Sequence, residues 1–473
     1  MQASEYFTKL FPYGLLKLLM EPPIDYRDRE RKPRCGRREI AFGFPKTEPG
    51  SNNVHNVFQR YQTFPSTGNQ STEQLLKQRF SRLPLNTRID LGGVMTTDVA
   101  DARRSDLSVG FRELIFDVDL DKEYNCFRTC ECVKEEKSPP FICPQCWPYL
   151  TLAIRTVEHL LARHFGWYDT LWLFSGRRGV HCWVLDPAAG LLSDQSRRHI
   201  TEFFRRFTYV DSNPAQWLAY QPSLQELYTQ ILKPRLRLMI ERQQIRLSDK
   251  QTLNVIANSF ATVPDSEQLF VILRALETGD LEHQADLWDQ LVALSRGPQF
   301  ESALINVTFF LTFPRLDYNV MPARNHLLRC PLSVHADTQS VVSPLDLDHL
   351  DDIDPQFLPN LRMEHTLLHF DRFVHLFQLA LFCRLPVADH LVCQFCSESC
   401  TYPTDLPKTA LFVYDKAALI THCQNEHQRT VLSMDGFTLR DWVNRTTLRE
   451  DNKMPDRSKK YDFYRLLRDR FSC

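Results

Sequence analysis

Apolar runs of strand length, separated by turn-forming residues, mark the first 186 residues of the chain. Residues 55–64, 87–97 and 113–120 read as strands. Residues 170–186 read as a strand, a short glycine loop and a second strand. A further apolar run over residues 303–320 predicts a return to strand.

Helical periodicity dominates between these strands and after them. Residues 148–166 carry one apolar stripe, with a proline in the first turn and a glycine at the end. Residues 188–300 and 361–473 are also predicted to be mostly helical, and the first 23 residues to form a short amphipathic helix. Strands on both sides of a helical block indicate one α/β core interrupted by a helical insertion.

The predicted strand at residues 113–120 contains two carboxylates, Asp117 and Asp119. Because side chains alternate along a strand, both point the same way, roughly 6–7 Å apart, where like charges repel and lose hydration. Divalent cations shared with phosphate oxygens would offset that repulsion. A solvated strand end is the alternative.

Composition limits the classes of protein that fit. The 473 residues suffice for two to four domains, or for one large domain with insertions, and 43% of them are hydrophobic. The net charge of −1 excludes a globally basic nucleic-acid binder, and no run of 18 apolar residues predicts a membrane span. Without a signal-peptide pattern, we expect an intracellular protein whose 14 cysteines are reduced thiols or metal ligands.

The glycine loop after residue 174 reads SGRRGVH, with two glycines flanking two arginines. Glycines let the backbone turn tightly beside a ligand, and arginine, serine and histidine donors suit a triphosphate. The residues that we expect to face it are Ser175, Gly176, Arg177, Arg178, Gly179 and His181. A hairpin turn with exposed arginines is the alternative.

A third polar group ends the apolar run at residues 303–320. Asp317 follows Arg315 there, and His326, Arg329 and His335 come soon afterwards among apolar residues. We expect them to add a carboxylate, cations and imidazoles to the same site. For each histidine, a buried side chain with satisfied hydrogen bonds is the alternative.

One group of cysteines has the spacing of a zinc knuckle. Its members are Cys130, Cys132, Cys143 and Cys146, with Cys126 in reserve. Four clustered thiols in a reduced compartment predict a tetrahedral zinc site. Because four thiolates leave no open coordination position, we expect that site to be structural.

A second zinc site is predicted nearer the C-terminal end. Its Cys2His2-type ligands would be Cys393, Cys396, His422 and His427. Cys400 and Cys423 are alternative ligands. Unconnected thiols and surface histidines are the alternative without a metal.

These motifs, in this order, resemble the small catalytic subunit of archaeal and eukaryotic DNA primases, and the eukaryotic form more closely. The matching segments are FDVDL, the cysteine knuckle after it, SGRRGVH, PRLD and PLSVH. The resemblance implies an α/β primase catalytic core of mixed sheets flanked by helices. Together with the patterns above, it assigns residues 1–186 and 301–350 to the core, 126–147 to the knuckle, 187–300 to a helical insertion and 351–473 to a C-terminal extension with the second zinc site.

The resemblance also implies roles for individual residues. The implied catalytic residues are Glu39, Asp117, Asp119 and Asp317. The implied nucleotide-binding residues are Arg60, Asp90, Ser175, Gly176, Arg177, Arg178, Gly179, His181, Arg315, His326, Arg329 and His335. The three aspartates would bind Mg²⁺ or Mn²⁺, and Cys130, Cys132, Cys143 and Cys146 would bind zinc.

Two departures from the family pattern bear on these roles. Glu131 separates Cys130 from Cys132, which are adjacent in the family, so Cys126 competes as a ligand. Arg329 stands where the family has lysine. The planar, forked guanidinium of arginine then replaces the compact ammonium of lysine at this position. We therefore expect the nucleotide to bind with altered geometry.

The function that the resemblance implies is synthesis of short RNA primers on single-stranded DNA from ribonucleoside triphosphates. Two Mg²⁺ or Mn²⁺ ions would activate the 3′-hydroxyl and steady the leaving pyrophosphate. The alternatives are a primase-polymerase for repair, a silent subunit that binds nucleic acid through zinc sites, and a metal nuclease. The implied partners are a large iron–sulfur primase subunit and the DNA polymerase alpha complex, with no membrane, and the implied location is the nucleus.

Overall fold

The computed structural model describes most of the chain and divides it into two compact units. The described residues are 1–21, 35–47, 54–84, 86–99, 103, 106–124, 126–130, 132, 142–208, 213–264, 267–294, 297–381, 391–392 and 413–414. The first unit comprises Met1–Phe11 and Pro33–Ala380, and the second comprises Pro12–Lys32 and Leu381–Cys473. Within the described residues, no helix is both long enough and apolar enough to cross a bilayer.

The strands of the first unit form two sheets. They are β1 (Arg38–Thr47), β2 (Val54–Gln62), β3 (Arg88–Met95), β4 (Val109–Phe111), β5 (Leu114–Asp119), β6 (Thr170–Phe174), β7 (Gly179–Val184) and β8 (Leu328–Arg329). One sheet has the order β2-β1-β3-β4, with β8 also paired to β3, and the other has the order β5-β7-β6. The strands predicted before residue 186 are therefore confirmed.

Helices form much of the rest of the described chain and dominate its middle. They are α1 (Ala3–Lys9), α2 (Tyr13–Met20), α3 (Thr72–Phe80), α4 (Trp147–Leu160), α5 (Pro187–Gly190), α6 (Asp194–Arg205), α7 (Ala215–Leu218), α8 (Pro222–Glu226), α9 (Lys233–Glu241), α10 (Lys250–Phe260), α11 (Glu267–Thr278), α12 (Gln284–Ala293), α13 (Pro298–Thr312) and α14 (Phe370–Leu381). The mostly helical character predicted for residues 188–300 is confirmed.

The described sheet pairings are all antiparallel, so the expected mixed sheets are wrong in that respect. β6 and β7 form a hairpin, and the connection through α4 places β7, not β6, beside β5. A parallel neighbour requires a crossover onto an adjacent strand, which this connection does not make. The short hairpin loop, residues 175–178, consequently lies beside the end of β5.

The predicted strand over residues 303–320 is wrong for most of its length, because Pro298–Thr312 forms α13. A continuous apolar run fits a buried strand or a buried helix equally well, and its length favours a helix. Pro298 lies in the first turn, where a missing N–H costs no hydrogen bond. The apolar run is continuous because α13 is buried around most of its circumference.

The first residues form two helices where the apolar pattern predicts one. α1 ends at Lys9, and Pro12 is the N-cap residue of α2. Proline lacks a backbone N–H and disfavours helical geometry in the residue before it. That local chemistry ends the first helix despite the continuing apolar pattern.

A fully buried ion pair connects the two sheets of the first unit. Arg38 of β1 donates from both terminal nitrogens to Glu113, beside β5, at 2.8 Å each. Arg112 donates to the carbonyl of Gly92 at 3.3 Å, and its guanidinium lies 4.6 Å from the ring centroid of Trp183 in β7. Because removing one partner would leave a buried charge uncompensated, this group fixes how the sheets meet.

In the second unit, β9 (Leu391–Val392) and β10 (Val413–Tyr414) pair antiparallel. The predicted second-site ligands Cys393, Cys396, His422 and His427, and the alternatives Cys400 and Cys423, lie outside the described residues. The second zinc site therefore stays a prediction, as do the domain boundaries.

Candidate active site

The two carboxylates of β5 face the hairpin that contains the glycine loop. In the strand register, Asp117 is opposite His181 and Asp119 is opposite Gly179. Nε2 of His181 lies 3.5 Å from Oδ1 of Asp117, and Nε of Arg178 lies 3.7 Å from Oδ2 of Asp119. Both aspartates are half-buried in a strand that is otherwise buried, as their shared face predicts.

Gly179 allows β7 to pass directly beside Asp119. A Cβ atom on Gly179 would overlap Oδ1 of Asp119 and would lie 2.5 Å from the carbonyl oxygen of Val118. Gly176 has a left-handed backbone with φ 93°, and a Cβ there would lie 2.9 Å from Cβ of His335. These two glycines are therefore required by close approach and by backbone conformation.

Asp317 reaches the same strand from the segment after α13. Its backbone N–H donates to the carbonyl of Asp117 at 2.9 Å, and its own carboxylate accepts from the amide of Asn319. Burial, followed by the charge of Asp317, raises the pKa of Asp117 to about 7. Burial, followed by the charge of Asp117, raises the pKa of Asp119. The predicted repulsion between Asp117 and Asp119 is thus present, and Asp317 adds a second repulsion at Asp117.

Cations offset part of this repulsion. The positive charges of Arg88, Arg329 and Arg178 lower the pKa of Asp117 against the effect of burial. Oδ1 of Asp117 is nevertheless buried and accepts no hydrogen bond from the described residues. No three carboxylates in the described part of the chain converge within 4.8 Å of one another. The orphaned oxygen and the hard-oxygen ligands still fit a divalent cation.

Several polar nitrogen atoms in and beside the predicted phosphate-binding loop are buried without partners among the described residues. Nε of Arg177, Nη1 of Arg329 and Nδ1 of His181 find no hydrogen-bond partner among the described residues. Burial, followed by the charge of Arg88, lowers the pKa of Arg329 to about 10, which leaves it cationic at neutral pH. Buried donors without partners cost free energy in the free protein, and an anion would satisfy them.

The two histidines beside these arginines are neutral at pH 7. Burial lowers the pKa of His181 to about 4. Burial, followed by the charges of Arg329 and Arg177, lowers the pKa of His335 to about 2. Nδ1 of His335 accepts from the amide of Asp337 at 3.2 Å, so its Nε2 carries the proton. Both side chains can therefore offer neutral hydrogen bonds.

The hairpin loop is closed by its own residues. The hydroxyl of Ser175 accepts from the amide of Gly179 at 3.2 Å, and the amide of Ser175 donates to the carbonyl of Gly179 at 2.9 Å. The hydroxyl of Thr338 donates to the carbonyl of Gly176 at 2.6 Å. These bonds hold the loop beside residues 335–340, which contribute the second histidine.

The other sheet contributes Glu39, and its carboxylate is already engaged. Glu39 is fully buried and accepts from Nε of Arg60 at 2.8 Å, from Nη2 of Arg60 at 3.0 Å and from the amide of Tyr61 at 3.1 Å. Tyr61 has a φ of 59°, which places a bulky residue in the left-handed region. Arg60 also donates to the carbonyl of Asn325 at 2.9 Å. Glu39 and Arg60, which the resemblance assigns to separate roles, therefore form an ion pair that we call the Arg60–Glu39 clamp, next to the segment with His326.

Asp90 lies on the adjacent strand with a partner that the sequence analysis missed. Nε of Arg88 lies 2.8 Å from both carboxylate oxygens of Asp90. Across the ladder, Asp90 is paired with Arg329 of β8. Arg88 also acts electrostatically on Asp117 and Asp119. The alternation Arg88-x-Asp90 on a strand is the signal that could have identified Arg88.

His326 lies close to this group, whereas Arg315 does not point into it. Burial lowers the pKa of His326, with smaller effects from Arg112 and Asp317, and its carbonyl accepts from Nη2 of Arg112 at 3.2 Å. The guanidinium of Arg315 donates to the carbonyls of Phe310 and Phe313 instead. The structure thus brings the other predicted nucleotide contacts to the two sheets and leaves Arg315 behind them.

The first group of cysteines forms a compact cluster. The sulfur atoms of Cys130, Cys132, Cys143 and Cys146 lie within 4.8 Å of one another. Two of the Sγ–Sγ distances are 3.4 Å, which is close to the separation of thiolates around one tetrahedral zinc with bonds of about 2.3 Å. Cys126 is outside the cluster, with its sulfur 3.7 Å from the carbonyl of Glu123. The sequence left open whether Cys126 replaces another ligand, and the structure leaves Cys126 out of the candidate ligand set.

The cysteine loop is attached to the helical part of the chain. The hydroxyl of Thr129 donates to the carbonyl of Gln243 at 2.7 Å, and the amide of Arg246 donates to the carbonyl of Phe127. The hydroxyl of Tyr149 in α4 donates to the carbonyl of Gln244 at 2.7 Å. The cluster consequently sits where the core and the turn after α9 meet.

Comparisons with known proteins show which family the chain is similar to. A family model described as "DNA primase small subunit" matches residues 116–347. The chain is 26% identical over 377 residues to the DNA primase small subunit of Schizosaccharomyces pombe, covering 76% of this chain and 75% of that protein. It is 28% identical over 358 residues to the one of Saccharomyces cerevisiae, covering 72% and 80%. It is 27% identical over 386 residues to the one of Drosophila melanogaster, covering 77% and 81%.

Proposed function

Because the chain belongs to the DNA primase small-subunit family, we propose that it synthesises short RNA primers on single-stranded DNA from ribonucleoside triphosphates. The observation that carries the proposal is the pairing of β5 with the glycine hairpin. It sets two carboxylates beside buried guanidinium and imidazole donors that lack partners among the described residues. Phosphoryl transfer requires carboxylates that bind cations and hydrogen-bond donors that bind the phosphate oxygens.

Asp117, Asp119 and Asp317 would hold Mg²⁺ or Mn²⁺. Their charges repel one another, and Oδ1 of Asp117 is buried without a donor from the described residues, so a cation would relieve both costs. When bound, such ions favour deprotonation of a ribonucleotide hydroxyl and stabilise charge on the phosphates. The backbone hydrogen bond from the amide of Asp317 to the carbonyl of Asp117 holds the segment after α13 beside β5, so that the carboxylates could share these ions.

The arginines and histidines would bind the triphosphate. Arg177 and Arg329 supply buried N–H groups that have no competing partner in the described part of the chain. His181 and His335 remain neutral at pH 7 and add hydrogen bonds without adding charge. Ser175 closes the loop that aims these groups, and Gly179 lets it approach Asp119.

The opposite sheet would position the sugar of the nucleotide. Asp90 is fully buried beside Arg88 and would accept from a ribose hydroxyl. The clamp of Arg60 and Glu39 would hold the segment that carries His326. A planar guanidinium at Arg329, in place of an ammonium, would contact phosphate oxygens in pairs.

Zinc at the four cysteines would be structural. A closed set of four thiolates has no open position for a substrate. We also propose the assembly that the family implies, with a large primase subunit and a replicative DNA polymerase, in the nucleus. Those partners would contribute to initiation and length control.

Primer synthesis on poly(dT) with ATP and Mg²⁺ or Mn²⁺ tests the proposal. Asp119→Asn keeps the side-chain volume, and we expect it to reduce synthesis on the order of 10³-fold. Asp121→Asn is the matched control, because asparagine can still accept from the amide of Glu123 as Asp121 does at 3.1 Å. Near-full synthesis by Asp119→Asn would refute the carboxylate assignment.

The same assay separates the proposal from a silent binding subunit. Wild-type protein is measured with and without the large subunit, alongside binding to single-stranded DNA. Products that depend on Asp119 support a polymerase. Retained DNA binding without any product, even with the partner present, would support the silent subunit instead.

A further inference from the structure

Arg315 sits in an aromatic cage behind the carboxylates. Its guanidinium carbon lies 5.8 Å from the ring centroid of Tyr124, and 5.3 Å from those of Phe127 and Phe310. The side chain is buried, with 7% of its surface exposed. A planar cation against aromatic faces is well stabilised there.

The hydrogen bonds of Arg315 complete the end of α13. Nη2 donates to the carbonyl of Phe310 and Nη1 to the carbonyl of Phe313, both at 2.7 Å. The residue four positions after Phe310 is Pro314, which has no N–H to give it. Arg315 therefore supplies the missing donor, and its charge favours the carboxyl end of the helix dipole.

The backbone of Arg315 fixes the start of the segment that carries Asp317. Its amide donates to the hydroxyl of Tyr124 at 3.0 Å. Two residues later, the amide of Asp317 donates to the carbonyl of Asp117 at 2.9 Å. Tyr124 follows Asp119 by five residues, so Arg315 bridges the two segments that bear the metal-type carboxylates.

The cage also touches the cysteine loop. Phe127 contributes one wall, and it stands three residues before Cys130. Phe127 packs against Phe310 with ring centroids 5.9 Å apart, and against Tyr124 at the same distance. A continuous set of packed groups therefore runs from the cysteine cluster through Arg315 to Asp317.

We propose that Arg315 is a positioning residue for the metal carboxylates, and that it couples the cysteine cluster to them, rather than a residue that binds the nucleotide. The proposal rests on the proposed nucleotidyl-transfer function. Both terminal nitrogens of Arg315 already donate to carbonyls, whereas Arg177 and Arg329 each retain a buried donor without a partner among the described residues. Arg315 acts through the position of Asp317, where a displacement of about 1 Å can cost about a hundredfold in rate.

The test compares Arg315→Met with Arg177→Met. For Arg315→Met we expect kcat to fall about a hundredfold and the KM for ATP at saturating Mn²⁺ to stay within about twofold. The Kd for Mn²⁺, read from the electron paramagnetic resonance of the free ion, should rise about tenfold without nucleotide. Arg177→Met should do the reverse, raising KM and leaving Mn²⁺ affinity unchanged. Arg315→Lys keeps the charge but loses the fork, so it should restore only part of the Mn²⁺ affinity.

A rise in KM for Arg315→Met, with unchanged Mn²⁺ affinity, would overturn the proposal and support a nucleotide contact. Unchanged kcat and Mn²⁺ affinity would overturn it as well. If Arg315→Met does not fold, Tyr124→Phe carries the same test, because it removes only the acceptor of the Arg315 amide. The Mn²⁺ measurement needs no synthesis, so a wild-type protein without activity would count against the proposed function and not against this inference.

The coupling to the cysteines has its own readout. Cys143→Ser in the folded protein should weaken Mn²⁺ binding in the wild-type background and add little in Arg315→Met, because the connection is already lost. Additive effects in the double variant would overturn the coupling. Zinc content, measured in each variant, shows which proteins have lost the cluster.

Discussion

The cysteine cluster and the carboxylate site are both groups of acidic ligands, but they are built in opposite ways. The four sulfurs lie close together and hydrogen-bond in pairs, with Sγ–Sγ distances of 3.4 Å for Cys130–Cys143 and Cys132–Cys146. The carboxylates come from separate segments, repel one another and lie beside donors that have no partner among the described residues. A closed ligand set stabilises a fold, whereas an incomplete one keeps binding capacity for a substrate.

The largest effect should come from removing one of the four ligands of the cysteine cluster. Cys143→Ser removes a thiolate, and we expect the loss of one zinc per chain and a free energy of unfolding lower by about 4 kcal/mol. The loop from residue 126 to 130 holds the turn after α9, so the loss should spread to that turn. Metal analysis and thermal denaturation measure both changes.

Cys126→Ser is the matched control for that experiment. Its sulfur faces the carbonyl of Glu123 and lies outside the cluster. Zinc content should be unchanged in this variant. A protein that loses zinc with Cys126→Ser but keeps it with Cys143→Ser would show that the ligand set has been assigned wrongly.

A smaller effect should come from obstructing the approach of the hairpin to the carboxylates. Gly179→Ala places a methyl group where Oδ1 of Asp119 lies, so either β7 or the carboxylate must move. We expect primer synthesis to fall about a hundredfold, which corresponds to about 2.7 kcal/mol in the barrier. Gly68→Ala is the control, because a Cβ there meets nothing within 4 Å. Equal activity of the two variants would mean that Asp119 tolerates displacement and carries no metal.

The third prediction separates binding from stability. Nε of Arg177 is buried without a partner in the described part of the chain, so Arg177→Met should raise the KM for ATP about thirtyfold, or about 2 kcal/mol, while the melting temperature does not fall. Arg163→Met, at an exposed position paired with Glu226 at 3.6 Å, should change neither quantity appreciably. A drop in melting temperature with unchanged KM would place Arg177 among the structural residues.

Local chemistry explains which parts of this comparison the sequence could predict. Asp117 and Asp119 on one strand, and the cysteine spacing around Cys143, depend on a short stretch of chain and can be predicted from it. The exclusion of Cys126 required the three-dimensional positions of the sulfurs. The direction of Arg315 could not be predicted, because its aromatic cage comes from segments nearly two hundred residues apart.

The misassigned strand over residues 303–320 has a related cause. A run that is apolar at nearly every position has no period, so it does not distinguish α13 from a buried strand. Arg88 was missed for a different reason: its spacing from Asp90 is visible in the sequence, but its approach to Asp117 and Asp119 follows only from the fold. For Arg88 the deciding information therefore lay in contacts between distant segments, whereas the length of the apolar run was available from the sequence.

The smallest effect should come from Glu158, a half-buried side chain whose carboxyl pKa is lowered by no cation among the described residues. It lies on α4 and accepts from Nε1 of Trp172 at 2.6 Å. Burial raises the pKa of Glu158, and the hydrogen bond from Trp172 lowers it only in part. The folded protein therefore favours the protonated acid, so this group contributes stability at low pH that is lost as pH rises above the ordinary pKa of 4.5.

Glu158→Gln stays neutral and can still accept from Trp172. The variant should unfold at a higher temperature than wild type at pH 7, and the difference should shrink as pH falls towards 4.5 and below. Thermal denaturation across that range measures it. The opposite trend, with the advantage growing at low pH, would mean that Glu158 is stabilised as an anion. An anionic carboxylate would then be stable in this fold without a cation. The repulsion between Asp117 and Asp119 would therefore no longer support metal binding.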